Sequence, residues 1–107
     1  MVGVKESNMK VFISQPMRDK TDAEILQERY KAVDRIREKY PNEDIEILDS
    51  FFESAPHDAK PLWFLGKSFE VLSNADLAYF IGDWRNYRGC CMEHKACEEY
   101  GIETIDE

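Results

Sequence analysis

Residues 88–101, RGCCMEHKACEEYG, carry a carboxylate (Glu93), an imidazole (His94) and three thiols (Cys90, Cys91, Cys97) on one expected helix. Each type offers a different chemistry. An ionised carboxylate beneath an anomeric carbon can attack it, forming a glycosyl-enzyme that water or a second base resolves, and no metal is needed. A Glu near the start of a helix also simply complements the positive end of the helix dipole, so the residue type alone leaves two readings open. Cys90, His94 and Cys97 stand at i, i+4 and i+7, on one helical face, where they would fill three corners of a zinc site. A structural zinc site takes four ligands from two elements, and the only other histidine, His57, lies in a distant loop. A stripe of small, reduced, buried cysteines is therefore the expectation, and no metal is assigned. The helix start would depress a thiol pKa, yet no histidine base is evident outside that helix beyond the distant His57, so no catalytic cysteine is assigned either.

The elements that must position Glu93 follow from apolar spacing. KVFIS (10–14) is a short β-branched and aromatic run ended by Pro16. Thr21 with Glu24 three residues on forms a capping-box pattern, and Ile25, Leu26, Tyr30, Val33, Ile36 and Tyr40 then recur at helical spacing until Pro41. DIEILDS (44–50) reads as a second strand, residues 61–73 as a second helix, and DLAYFIG (76–82) as a strand buried on both faces. The opening stretch is the third helix, stopped by Gly101, and IETID is a last short strand. Strands alternating with helices over brief connections predict an α/β fold, a flavodoxin-like three-layer sandwich on a four- to five-stranded parallel sheet of order 2-1-3-4. Ligands in such sheets bind beyond the carboxyl ends of the strands, at the switch point. That rule selects the loops 14–18, 49–60 and 82–89, and the last leads directly into the helix of Glu93.

These loops supply the remaining candidates. Ser14, Gln15, Pro16, Met17 and Arg18, with the amides around Thr21, offer hydrogen bonds and a charge to a phosphate. Arg18 reads more simply as a solvated surface arginine, since it is followed by Asp19 and not by the glycines that let a backbone wrap an anion. Phe51, Phe52, Trp63 and Trp84 gather near the loop ends, where a base would stack. Trp84 is the better stacking residue, whereas Phe64 belongs to the core face of the second helix. SAPHDAKP is either an ordered surface loop or a lid that brings His57 and Asp58 to the ligand. Asp83 and Asp49, at strand ends, would bind a hydroxyl or protonate a departing base.

Composition limits the alternatives. With 107 residues and 43% hydrophobic content the chain is one domain, 9–107, able to bury roughly two-thirds of its unfolded surface without staples; residues 1–8 read as a leader or alternative start. Three cysteines give no intrachain framework, and a reducing cytoplasm fits them. No run reaches the ~18–20 apolar residues of a membrane span, so no membrane partner is expected. A net charge of −8 repels a phosphate backbone in bulk, so no nucleic-acid polymer is expected, although a pocket can still hold one nucleotide.

The ordered set FISQPM, NADLAYFIGDW and RGCCMEHKACEEYGI resembles the nucleoside 2-deoxyribosyltransferase superfamily, which includes the deoxynucleoside 5'-monophosphate N-glycosidases. ISQPM, DSFF and APHDAKPLW are similar to a small bacterial and phage branch of it. The resemblance implies Asp76 opening the buried strand, Gly89 four residues before the nucleophile, and Glu93 as that nucleophile. It implies a nucleoside or nucleotide substrate, no cofactor, and a homodimer or higher oligomer. Two positions depart from the pattern: Ser68 replaces an acid that handles base or sugar, and Tyr87 replaces a smaller polar partner. Asp83 is then the expected acid or hydroxyl contact, and a non-catalytic nucleotide-binding module is the alternative. His94 and Lys95, after Glu93, would crowd a close packing of helix on strand.

Overall fold

Four short apolar runs form one sheet because each has β-branched or aromatic residues bounded by turn formers. The computed structural model describes residues 8–50 and 55–107. Its strands are β1 (Asn8–Ser14), β2 (Asp44–Ile47), β3 (Leu77–Phe80) and β4 (Glu103–Asp106), and its helices α1 (Asp22–Lys39), α2 (Pro61–Leu72) and α3 (Arg88–Tyr100). All pairs are parallel, in the order β2-β1-β3-β4. This is the expected α/β sandwich, with four strands among the described residues. Residues 1–7 of the expected leader lie outside the described residues, whereas Asn8 already pairs with Asp44. No described helix is long and apolar enough to cross a membrane.

Strand alternation divides the core in two, since successive side chains point to opposite faces. Val11, Ile13, Ile45, Leu77 and Tyr79 meet Ala32 and Ile36 of α1 on one face. Phe12, Ala78 and Phe80 meet Leu72 of α2 and Cys90 and Cys97 of α3 on the other. Burial pushes the Cys97 thiol up to about 11, as suits a packing residue.

Local chemistry fixes the ends of these elements. The Thr21 hydroxyl accepts from the Glu24 amide at 3.1 Å, and the Glu24 carboxylate accepts from the Thr21 amide at 2.9 Å, closing the capping box. Gly101 ends α3 at φ 73, a conformation that L side chains resist. Asp76 precedes β3 at its amino end, where its carboxylate accepts from the Lys10 amide at 2.8 Å. It therefore extends the β1–β3 ladder at the end of the sheet remote from the loops that follow the strands.

Candidate active site

Beyond the carboxyl end of β1, between the β1–α1 loop and the starts of α2 and α3, lies a cleft of about 890 Å³. Glu93 stands in its wall, 7% exposed, and its Oε1 accepts from the Ser14 hydroxyl at 2.6 Å. Burial raises this carboxyl above the usual carboxylate range, while hydrogen bonds from Ser14 and Ser68 pull the other way. The carboxyl is thus anchored by the Ser14 hydroxyl, with that of Ser68 nearby, and biased toward its neutral form. Such a group keeps a proton to a higher pH, where it can serve a leaving group, or, once ionised, attacks as a poorly solvated nucleophile. Cys90 also lines the cleft, but burial pushes its thiol up to about 11, which leaves it protonated near neutrality.

The β1 loop is held from behind by a residue with no signal in the sequence. Arg29, buried on α1, donates to Leu48 O at 2.8 Å, Ser50 Oγ at 3.0 Å and Gln15 Oε1 at 3.4 Å. Burial lowers its pKa, and the charge of Asp49 opposes that shift. Gln15 in turn donates to Ile25 O at 2.9 Å, and the Ser50 hydroxyl donates to Ile13 O at 2.9 Å. One guanidinium therefore locks the segments after β1 and β2 to α1. In helical spacing it reads as one more polar residue, which is why pattern alone misses it.

Ser14, Gln15, Pro16, Met17, Arg18, Gly89 and Glu93 all line the cleft. The other candidates are placed differently. Trp84 is 5% exposed, stacked on His94 at 4.4 Å and packed on Phe80 at 5.1 Å, so its ring belongs to the core behind α3 and does not line the cleft. Its indole N–H has no hydrogen-bond partner among the described residues. Phe64, expected in the core, is 38% exposed and lines the cleft with Leu62 and Leu65. The two aromatic roles are exchanged. Asp83 is exposed and outside the lining, although its charge reaches Lys20 and Cys90. Asp49 is likewise exposed and outside it, beside Arg29, and Phe51 lies outside the described residues. His57 and Asp58 are exposed on a turn and do not line the cleft.

The His94 ring packs edge-on against Phe80 of β3 at 4.8 Å and stacks on Trp84, with Nε2 3.1 Å from the Asp106 carboxylate and Nδ1 3.3 Å from Glu98. Lys95 points outward to Glu99. Among the described residues no three His, Cys, Asp or Glu side chains are grouped to hold a metal.

Ser68 and Tyr87 were visible in the sequence only as departures from a pattern, yet both line the cleft, and the Ser68 hydroxyl acts on the Glu93 carboxyl. Lys60, Arg88 and Tyr87 complete the rim, with the Arg18 guanidinium 5.2 Å above the Tyr87 ring. Pro61 at the first helical position was the available signal for Lys60, because it marks where α2 begins. The chain matches no family model, no curated protein and no solved structure.

Proposed function

We propose that the chain cleaves or exchanges the N-glycosidic bond of a deoxynucleoside or its 5'-monophosphate, with Glu93 as nucleophile. The observation that carries this reading is the Glu93 carboxyl itself, walled into a nucleotide-sized cleft and held by Ser14. Ionised beneath C1, it would stabilise the positive charge that develops on the sugar and then bond to it, and the base would depart with the electron pair of the broken C–N bond and take a proton from water in the open cleft. Water or a second base then displaces the carboxylate. Tyr87 and Phe64 offer apolar area for the base on the cleft walls. The same reading makes this a cytoplasmic enzyme and a homodimer, joined through the apolar surface that leaves Leu62, Phe69 and Met92 exposed.

One observation favours the alternative of a nucleotide-binding module that does not turn its ligand over. Burial favours the neutral carboxyl, and among the described lining residues Glu93 is the sole acid, with Ser68 where the family pattern has another. Chromatographic detection of free base after incubation with deoxynucleosides and their monophosphates separates the two. Release that disappears in Glu93→Gln supports the glycosyl-enzyme. No release, with a nucleotide still raising the melting temperature, supports the binding module.

A further inference from the structure

The sequence offers the Ser14 hydroxyl to a ligand, but the structure gives its one proton to Glu93. Ser14 is the last residue of β1, is buried, and donates to Glu93 Oε1 at 2.6 Å. The sheet sets its place. Ser14 pairs in register with Phe80, and its carbonyl accepts from the Ile81 amide at 3.0 Å. A donor fixed on a paired strand does not drift as a loop does, so the carboxyl is aimed by the sheet as well as by α3.

Glu93 depends on that donor because no positive charge is joined to it. Arg18, Lys60 and Arg88 line the cleft, yet among the described residues no cation forms an ion pair with Glu93, and only the Ser14 and Ser68 hydroxyls work against its burial. The titratable neighbours supply no charge in their place. Cys90 and Cys97, on the same helix, are thiols pushed up to about 11 by burial. His94, the next residue, is turned to Asp106 and Glu98, and Tyr87 lies under the Arg18 guanidinium. A carboxylate charged in this place is held by neutral hydroxyls, and a hydrogen bond to a charged oxygen is stronger than one to a neutral acid.

We infer that Ser14 is a positioning residue: through its hydroxyl it fixes the Glu93 carboxyl against the sheet and makes the charged, attacking form accessible where no cation is paired to it. The inference rests on the reading of Glu93 as the reacting carboxyl and adds the group that readies it. Ser68 acts on the same carboxyl from α2, more weakly.

Carbon NMR on protein labelled at its glutamate carboxyls tests this without a substrate. The Glu93 resonance is identified by its loss in Glu93→Gln and followed against pH in the wild type, Ser14→Ala, Ser14→Thr and Ser68→Ala. Ser14→Ala is expected to ionise Glu93 about one pH unit higher, the tenfold effect of losing a hydrogen bond to a charged group. Ser68→Ala should move the titration less, and Ser14→Thr, which keeps a hydroxyl, should stay nearer to the wild type than Ser14→Ala does. Melting curves distinguish this role from simple packing. Ser14→Ala should lose more stability at the alkaline end of the Glu93 titration than at its acid end, whereas a packing defect costs the same at both. An unmoved or lowered titration in Ser14→Ala, or Ser14→Thr titrating with Ser14→Ala, overturns the inference. Base release is read separately. Release whose rise with pH moves upward in Ser14→Ala, together with the resonance, supports both readings. A shifted resonance with no base released by the wild type removes the glycosidase reading and keeps the role of Ser14. Release that rises over the same pH interval with and without the hydroxyl keeps the glycosidase reading and removes that role.

Discussion

Glu93 is the residue whose surroundings decide its chemistry. Burial raises its pKa in the fold above the ~4.3 of an unfolded Glu. The fold therefore binds its proton more tightly than the open chain does. The resulting stabilisation is complete below the unfolded value and is lost as pH rises through the folded one. Glu93→Gln, neutral at every pH, should match the wild type near pH 4 and exceed it at pH 7. The expected gain in melting temperature is about 4 °C or more, the shift that 1 kcal/mol produces in a domain of this size. No gain at pH 7 would mean that Glu93 is ionised at no cost. If Glu93 is the nucleophile, base release climbs with pH along the same titration and levels off once the carboxyl is ionised. A release rate that falls over this interval would assign Glu93 to the protonated role instead.

Elements were more legible than the residues between them. Thr21 with Glu24, Pro61 and Gly101 each mark a boundary through a local backbone rule, so α1, α2 and α3 begin or end where the sequence says. Phase within a helix is harder when apolar residues run all the way round, as in PLWFL at the start of α2. There Phe64 shares one stripe with Ser68 and Leu72, and the cleft at the start of α2 leaves it partly exposed whereas Leu72 is buried. Trp84 illustrates the same limit: it follows an exposed Asp on a loop, and its burial comes from packing on the Phe80 and His94 rings. Arg29 belongs to this scale because it joins α1 to the segments that follow two strands. Arg29→Met would leave the Leu48 carbonyl without that donor and cost about 2–3 kcal/mol, as hydrogen bonds to charged groups do. It should also weaken nucleotide binding, since Gln15 and Ser50 lose their anchor. Arg29→Lys restores a charge but not the forked geometry, so binding is expected to recover only in part. Wild-type affinity in Arg29→Met would show that the β1 loop holds its shape without it.

Across the whole molecule the sheet separates two tasks. The α1 face is a packed apolar layer, while the α2 and α3 face carries both the second core and the cleft. Ile36 is fully buried in the first layer, so Ile36→Ala should cost about 2–5 kcal/mol of stability. Nucleotide affinity measured well below the lowered melting temperature should not change, and a large loss would show that the sheet transmits strain between its faces. The stacking of Trp84 on His94 has an optical consequence. An indole shut away from water between the Phe80 and His94 rings emits at shorter wavelength than one that water reaches, so Trp84 should supply the blue part of the folded chain's emission. Trp63, only half-buried and packed on Phe64, supplies the red part, so Trp84→Phe should shift the emission maximum of the folded chain toward the red.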